Sequence, residues 1–222
     1  MAHKTLIGGT AYNIIGGKSL VSGTSYNIKG GKTLVGGTGY SISFNFTEPE
    51  PLYAMYYSDN SIVFQYGNIP DSGKTLKNSY TNFDGKSFMN STQVPWNAQL
   101  KKIQSIHFKN GIKTTSMTSW FSFSGLYSCN IKTVDITNLK IDSIYNMYNT
   151  FGSCCNLKGT PFCGNKVTNM AQAYYYCSNF TGSPVCGPNV TDMHNAFYNC
   201  CNLTGSPACG DKVVNLYKTY EY

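Results

Sequence analysis

The C-terminal half of this chain repeats with a period of 23 residues, and this period restricts its fold more than any other feature of the sequence. Chemically similar side chains recur at fixed places in each copy. We expect these side chains to form a repeat core, which in chain order consists of Met147, Phe151, Cys154, Leu157, Cys163, Met170, Tyr174, Cys177, Phe180, Cys186, Met193, Phe197, Cys200, Leu203 and Cys209. A unit this short cannot bury a hydrophobic face alone, so neighbouring copies must pack on one another.

The spacing within one copy predicts its local structure. Met147, Phe151 and Cys154 lie at positions i, i+4 and i+7, which is typical of one face of a short helical turn. From Leu157 to Cys163 the pattern alternates with a period of two, as on an extended strand. One helical turn and one short strand per copy predict a solenoid of the leucine-rich-repeat type.

Asparagine recurs with the same period, at Asn156, Asn179 and Asn202. We predict that these side chains form a ladder that satisfies backbone groups where each copy turns. A longer, earlier copy is predicted over residues 116–142. The copy before it is predicted at residues 103–108, an alternating stretch that leads to the turn signal Asn110-Gly111.

The first 44 residues contain a second repeat, of 14 residues, whose three copies begin at Lys4, Lys18 and Lys32. Short β-branched stretches and glycine-rich turns predict a meander of about six short strands joined as hairpins. Such a ribbon buries little surface by itself, so it packs either on the rest of the chain or on a partner. The apolar residues that we expect to make this anchor are Leu6, Tyr12, Leu20, Tyr26, Leu34 and Tyr40.

The two repeats together predict a mainly β or α+β protein with three regions. Residues 1–47 are the glycine-turn β repeat. Residues 52–115 form a mixed β region that caps the solenoid, with a tyrosine-rich strand at residues 61–66. The leucine-rich-repeat-like solenoid occupies residues 116–222. The alternation of glutamate and proline at residues 48–51 indicates a linker before the second region.

The last residues of the sequence begin another copy at Asn215. A terminal coil exposes its hydrophobic face unless something covers it. We expect Tyr217, Tyr220 and Tyr222 either to form a cap themselves or to be covered by another subunit.

The cysteine content does not indicate a disulfide scaffold. There are nine cysteines, an odd number, and no export signal points to an oxidising compartment. Six of them stand in the two periodic columns of the repeat core, where a free thiol packs as a small hydrophobic group. Zinc sites need closely spaced cysteine pairs, and the chain has no C-x-x-C. We therefore predict neither a metal nor a cofactor.

Catalytic motifs are missing or incomplete in this sequence. The carboxylates are scattered, no G-x-S-x-G occurs, and no cysteine is spaced with a histidine as a catalytic pair. Ser72-Gly73-Lys74-Thr75 resembles the end of a phosphate-binding loop, but the earlier glycine is displaced by one residue. We interpret this stretch as a turn and predict that the protein is not an enzyme.

The charge pattern and the short apolar runs argue against two classes of partner, nucleic acids and membranes. The net charge is +7, and all 17 basic residues are lysines dispersed along the chain. Base readout and bidentate phosphate binding depend on the planar arginine fork, so we predict no nucleic-acid partner. No apolar run approaches the roughly 20 residues needed to cross a bilayer, so we expect no membrane insertion.

Four stretches carry a resemblance to a known family. They are Val94-Pro95-Trp96, Ile106-His107-Phe108-Lys109-Asn110-Gly111-Ile112, Trp120-Phe121 and the Asn-Met-x3-Phe/Tyr-x2-Cys-x-Asn-Leu/Phe pattern of the repeats. Through these stretches residues 79–222 resemble the BspA-type leucine-rich-repeat proteins of bacterial surfaces and phages. The chain has Gly-x-Pro-x-Cys where that family commonly has Leu-x-Leu, which shortens the expected strand.

The N-terminal Lys-Thr-Leu-Ile-Gly-Gly-Thr-x-Tyr repeats resemble the first segments of structural proteins from phages and prophages of Gram-positive bacteria. Both resemblances together imply a non-enzymatic bacteriophage virion protein: a decoration protein, a tail fibre or another head or tail appendage used in adhesion. Residues 1–47 are then expected to bind other virion proteins, with the chain present as an oligomer or in many copies. The solenoid is expected to bind a host-surface protein or glycan.

The implied location is the virion, after synthesis in the host bacterial cytoplasm. A bacterial cell-surface adhesin of the BspA type, located on the cell surface, is the main alternative. A third possibility is an enzyme such as a wall hydrolase, because repeat folds can hold an active site that motifs do not reveal.

Overall fold

The computed structural model describes residues 3–7, 10–14, 18–21, 24–27, 50–109, 111–123, 129–205 and 209–221, the first four of these ranges by their backbone alone. The chain divides into two compact units, Met1–Glu50 and Pro51–Tyr222.

The described part of the first unit consists of two antiparallel hairpins. β1 (His3–Ile7) pairs with β2 (Thr10–Ile14), and β3 (Lys18–Val21) pairs with β4 (Thr24–Asn27). The first two 14-residue copies therefore form one hairpin each, as the sequence predicts. The third copy, which begins at Lys32, lies outside the described residues.

The second unit begins with a mixed sheet of five strands. These strands are β5 (Leu52–Tyr57), β6 (Ser61–Tyr66), β7 (Leu76–Tyr80), β8 (Ser105–Phe108) and β9 (Thr133–Asp135). Their order across the sheet is β7-β5-β6-β8-β9, antiparallel among the first three and parallel from β6 to β9. Asp59 fixes the turn between β5 and β6, because its carboxylate accepts the Ser61 amide at 3.0 Å.

Aromatic side chains pack around Phe64 of β6 on one face of this sheet. The Phe64 ring stacks on Phe108 of β8 at a centroid distance of 5.0 Å and on Trp120 at 5.2 Å. Trp96 packs edge-on against Phe64 at 5.3 Å and donates its indole N–H to the Trp120 carbonyl at 2.8 Å. Because Trp120 comes from the predicted copy at residues 116–142, the sheet and the repeats share one hydrophobic core.

Successive 23-residue copies lie side by side and are joined by backbone hydrogen bonds. Parallel bridges connect Asn146 to Asn169, Asn169 to Asp192, and Asp192 to Asn215. The Met147 amide donates to the Asn169 carbonyl at 2.8 Å, and the amides two, four and six residues further along also donate to the next copy. The same pattern recurs between the following copies, so they are in register at one full period.

Each copy begins with two consecutive β-turns, and this corrects the predicted helical turn. The Thr150 amide donates to the Met147 carbonyl at 3.2 Å, and the Cys154 amide donates to the Phe151 carbonyl at 3.0 Å. Asn149, the third residue of the first turn, has φ of 51°, which a right-handed helix cannot contain. Two four-residue turns bring positions i, i+4 and i+7 to one side much as a helix does, so the spacing could not separate the two structures.

The predicted strand from Leu157 to Cys163 is also wrong. Within this stretch Gly159 makes an isolated parallel bridge with Phe180, and residues 157–163 form no β-strand. Pro161 has no amide hydrogen to donate, so a ladder of backbone hydrogen bonds cannot continue through it.

The structure is mainly β, which confirms that part of the predicted fold class. The described residues contain no α-helix; their helical segments are the three short 3₁₀ turns Ser91–Gln93, Asn97–Gln99 and Ile141–Ser143. Across these ranges no helix has the length and apolar character needed to traverse a membrane.

The main hydrophobic core of the second unit is one cluster with members from Leu52 to Leu203, and Met55, Tyr57 and Val63 form a separate small cluster. It crosses the predicted boundary between residues 115 and 116, and β9, which follows that boundary, belongs to the same sheet as β5–β8. The division into regions 52–115 and 116–222 stays a prediction.

Candidate functional site

Most of the predicted repeat core lies in the interior of the second unit. Twelve of the fifteen residues are buried. Eleven of them are completely buried, and Leu203 is 8% exposed. Cys163 and Cys186 are half-buried, and Cys209 is exposed. The first cysteine column therefore lies in the interior, while the second cysteine column approaches the surface.

The aromatic residues of the core form a continuous column of rings. Neighbouring rings have centroid distances between 5.5 and 5.8 Å and interplanar angles between 6° and 13°. The column consists of Phe121, Phe151, Tyr174, Phe197 and Tyr220. Each stacked pair contributes about 0.5–1.5 kcal/mol beyond the burial of its surface, so the column holds the copies in register.

The buried thiols act as hydrogen-bond donors to the preceding copy. Cys177 donates to the Phe151 carbonyl at 3.1 Å, and Cys200 donates to the Tyr174 carbonyl at 2.9 Å. Burial raises the pKa of the Cys200 thiol to about 12 and raises the pKa of Cys177 well above its ordinary value. A thiol that stays protonated is a donor and a packing group, whereas a nucleophile or metal ligand needs the thiolate.

The predicted asparagine ladder is confirmed. The side-chain amide of Asn156 donates to the Cys129 carbonyl at 2.6 Å, and that of Asn179 donates to the Cys155 carbonyl at the same distance. Asn202 continues the ladder at 2.8 Å. The sequence analysis did not predict a structural role for Asn146. Its side-chain oxygen accepts a hydrogen bond from the Tyr148 amide at 2.8 Å, which starts the first turn.

The other candidate motifs have structural roles. Lys74, in the stretch that resembles a phosphate-binding loop, forms an ion pair with Asp59 at 2.8 Å and donates to the Ser61 hydroxyl. The stretch is a turn, as predicted, with Gly73 at φ of 83°. The part of the chain that the structure describes brings no three His, Cys, Asp or Glu side chains together as a metal site would require.

The predicted anchor residues fall in the first unit. Leu6 lies in β1, Tyr12 in β2, Leu20 in β3 and Tyr26 in β4, while Leu34 and Tyr40 lie outside the described residues.

The outer surface of the copies carries a group of tyrosines that we call the tyrosine patch: Tyr175, Tyr176 and Tyr198. All three are half-buried. The rings of Tyr175 and Tyr198 are stacked at 5.4 Å, and Tyr176 lies 4.5 Å from Tyr175 and 5.5 Å from Tyr198. Burial raises the pKa of Tyr175, and the neighbouring Tyr176 phenol adds to this effect. The phenol of Tyr175 therefore stays neutral at physiological pH.

One cation stands beside the tyrosine patch in the described structure. The Lys218 ammonium lies 5.6 Å from the centre of the Tyr198 ring and 5.8 Å from that of Tyr217. It also forms an ion pair with Glu221 at 3.1 Å. Its charge is thus shared between an aromatic face and a carboxylate.

Sequence reasoning did not find the tyrosine patch as a site, although a signal for it was present. Tyr175 and Tyr198 are one period apart, so they had to be neighbours once the copies packed in register. In the run Tyr174-Tyr175-Tyr176 the period places Tyr174 in the repeat core, but the exposure of Tyr175 and Tyr176 depends on the turn geometry. The structure buries Tyr174 completely and leaves the other two at the surface.

No protein-family model matches the chain, and neither a curated protein nor a solved structure matches it. The resemblance to BspA-type leucine-rich-repeat proteins stays a prediction.

Proposed function

We propose that this chain is a non-enzymatic structural protein of a bacteriophage virion, a head or tail appendage that serves in decoration or adhesion. Its 23-residue copies form a leucine-rich-repeat-like solenoid whose outer surface binds a host-surface protein or glycan. Residues 1–47 attach the chain to other virion proteins, and several copies are present in each particle.

The observation that carries this proposal is that the inside and the outside of the copies hold different kinds of side chain. Inside, the thiols and rings of the repeat core are occupied by packing and by hydrogen bonds between copies. Outside, tyrosine rings and carboxamides are partly exposed in the same register. Rigid aromatic side chains with adaptable polar neighbours suit a binding surface better than a catalytic centre.

The solenoid interpretation is supported by the way in which the copies are joined. Parallel bridges connect equivalent positions of successive copies, and the aromatic column passes through all of them. A repeat that contacts chiefly its neighbours in sequence is the defining property of a solenoid.

The attachment role is tested by deleting residues 1–47 in a phage that encodes the chain. We expect purified particles to lack the truncated protein, although it accumulates in the infected cell. A particle that carries Tyr175→Ala in the full chain is the control, because that change leaves the N-terminal repeats intact. Equal incorporation of the truncated and complete chains would rule out this role for residues 1–47.

A bacterial cell-surface adhesin of the BspA type is the second candidate. The observation that favours it is that the unit Pro51–Tyr222 contains its own continuous core together with the tyrosine patch. Such a unit can display the same surface from a cell as from a virion. Antibody labelling of intact bacteria that express no phage genes separates the two, since labelling supports the adhesin and its absence supports the virion protein.

A further inference from the structure

We propose that the tyrosine patch is a glycan-binding site in which a pyranose ring stacks on Tyr175. This inference rests on the proposed display function and identifies the ligand class and the residues that bind it. Pyranose rings present C–H groups on one face and hydroxyl groups around the edge, so they bind where an aromatic face adjoins hydrogen-bonding side chains.

The stack of surface rings ends at Tyr175. On one side Tyr198, one period later, stacks on it with an interplanar angle of 17°. On the other side the equivalent residue of the preceding copy is Gly152, which has no side chain to continue the stack. A Cβ at Gly152 would lie 1.8 Å from the Asn149 Oδ1 atom, so a carboxamide oxygen already lies over this glycine.

Carboxamides are therefore present on the side where the rings stop. Asn149 is half-buried, and Gln172, also half-buried, accepts the Tyr148 hydroxyl through its Oε1 atom at 3.4 Å. The long distance indicates a weak bond that a ligand hydroxyl can replace. An aromatic face bordered by amide donors and acceptors is the combination that a sugar ring requires.

The charges near the patch favour a neutral sugar over a nucleotide or a nucleic acid. Aromatic platforms that bind nucleic acid are combined with cations that neutralise phosphate. The cation that the described residues place over these rings is Lys218, and Glu221 pairs with it. A phosphate at this position would have to compete with that carboxylate, whereas a neutral sugar does not.

The inference is tested with the full-length chain on a printed array of bacterial and plant glycans built from pyranose units. The glycan that binds most strongly is then titrated into the protein by calorimetry. Glycan concentrations up to about 10 mM allow a dissociation constant in the millimolar range to be measured. We expect Tyr175→Ala to weaken binding by about tenfold or more, and Tyr175→Phe, which keeps the ring, to bind within about threefold of the natural chain.

Tyr145→Ala is the control, because Tyr145 is a surface tyrosine whose ring centre lies 5.7 Å from the Lys166 ammonium; it is more exposed than the half-buried patch tyrosines and lies outside the patch. It should bind as the natural chain does. A measurement on the unaltered protein guards against misfolded variants: bound glycan should protect the tyrosines of the patch, but not Tyr145, from nitration by tetranitromethane.

Absence of any bound glycan overturns the inference, as does binding that Tyr175→Ala leaves unchanged or a nitration pattern that glycan does not alter. The outcome is separable from that of the proposed function. A chain that enters virions but binds no glycan disproves only the glycan site, and a chain that binds glycan but is missing from virions disproves only the virion role.

Discussion

Cys154, Cys177 and Cys200 each place a thiol against the carbonyl of an aromatic residue in the preceding copy. The 23-residue spacing was sufficient to predict that these residues share one interior environment. It could not predict the acceptor, because the direction of a thiol depends on the two turns around it. The hydrogen bond explains why cysteine occupies this position, because the side chains of alanine and valine have no donor for the carbonyl.

This arrangement predicts a division among the nine thiols in the native protein. Cys201 and Cys209 are exposed and should react quickly with a water-soluble maleimide. Cys154, Cys177 and Cys200 should stay unmodified until the protein unfolds, because they are buried and protonated. Peptide mass spectrometry after labelling with and without urea reads out each site. Rapid native labelling of the buried set would contradict the packing described above.

The raised thiol pKa values predict that stability falls in alkaline solution. In the unfolded chain Cys200 loses its proton near its ordinary pKa of 9.0, whereas in the native protein it keeps the proton up to about 12. Between these values the unfolded state binds fewer protons, so the free energy of unfolding decreases by about 1.4 kcal/mol per pH unit for this thiol.

Urea denaturation at a series of pH values between 9 and 12 measures this slope. Cys200→Val is the control, since it keeps a side chain of similar size and has no titrating group. The variant should have a shallower pH dependence than the natural chain. Identical slopes would show that the Cys200 thiol does not titrate differently in the two states.

At the scale of the structural element, the unit of this fold is a pair of β-turns rather than a helix or a strand. Left-handed residues recur at the same positions of successive copies: Asn149 and Ser153, Gln172 and Tyr176, Asn195 and Asn199. Asparagine at some of these positions was a readable turn signal, because it tolerates this conformation. Gln172 and Tyr176 occupy equivalent positions and give no such signal, so the sequence alone does not distinguish the turns from a helix.

The turn geometry predicts how Gln172 responds to substitution. Its φ is 56°, where a β-branched side chain is strained and glycine is not. We expect Gln172→Val to lower the free energy of unfolding by about 1–2 kcal/mol, and Gln172→Gly to leave it unchanged or slightly higher. Thermal and urea unfolding measure both. Lys158→Val is the control, at an exposed position without positive φ, and should change the free energy of unfolding by less than about 0.5 kcal/mol. A loss as large as that of Gln172→Val would contradict the left-handed conformation of Gln172 as the cause.

Tyr174 tests the interior of the same element. Its buried hydroxyl donates to the Phe162 carbonyl at 2.6 Å and accepts the Phe162 amide at 3.1 Å. Tyr174→Phe leaves both backbone groups without this partner, and we expect a loss of about 1–3 kcal/mol. Tyr198→Phe removes a hydroxyl from the surface patch and should cost less than about 0.5 kcal/mol. Equal effects in chemical denaturation would mean that the Tyr174 hydroxyl is not buried.

At the scale of the whole molecule, the sequence was informative wherever periodicity determined the answer. It predicted the mainly β class, the first two hairpins and strand β6, because turn residues and alternation are local signals. It did not predict that β9 would join the sheet of β5–β8, because the parallel pairing of β8 with β9 links residues far apart in the chain. The tyrosine patch was missed for a related reason, since exposure depends on the packed copies and not on the run of tyrosines alone.

The most direct test of the account is to remove one whole period from the repeats. Deleting residues 170–192 joins Asn169 to Met193, which restores the Asn-Met sequence that opens each copy and allows Phe197 to stack on Phe151. Deleting residues 181–192 removes about half a period and puts every later column out of register. We predict that the first variant unfolds in one cooperative urea transition with its buried thiols still protected from maleimide, whereas the second does not. Similar behaviour of the two variants would contradict the claim that equivalent residues of successive copies stack in columns.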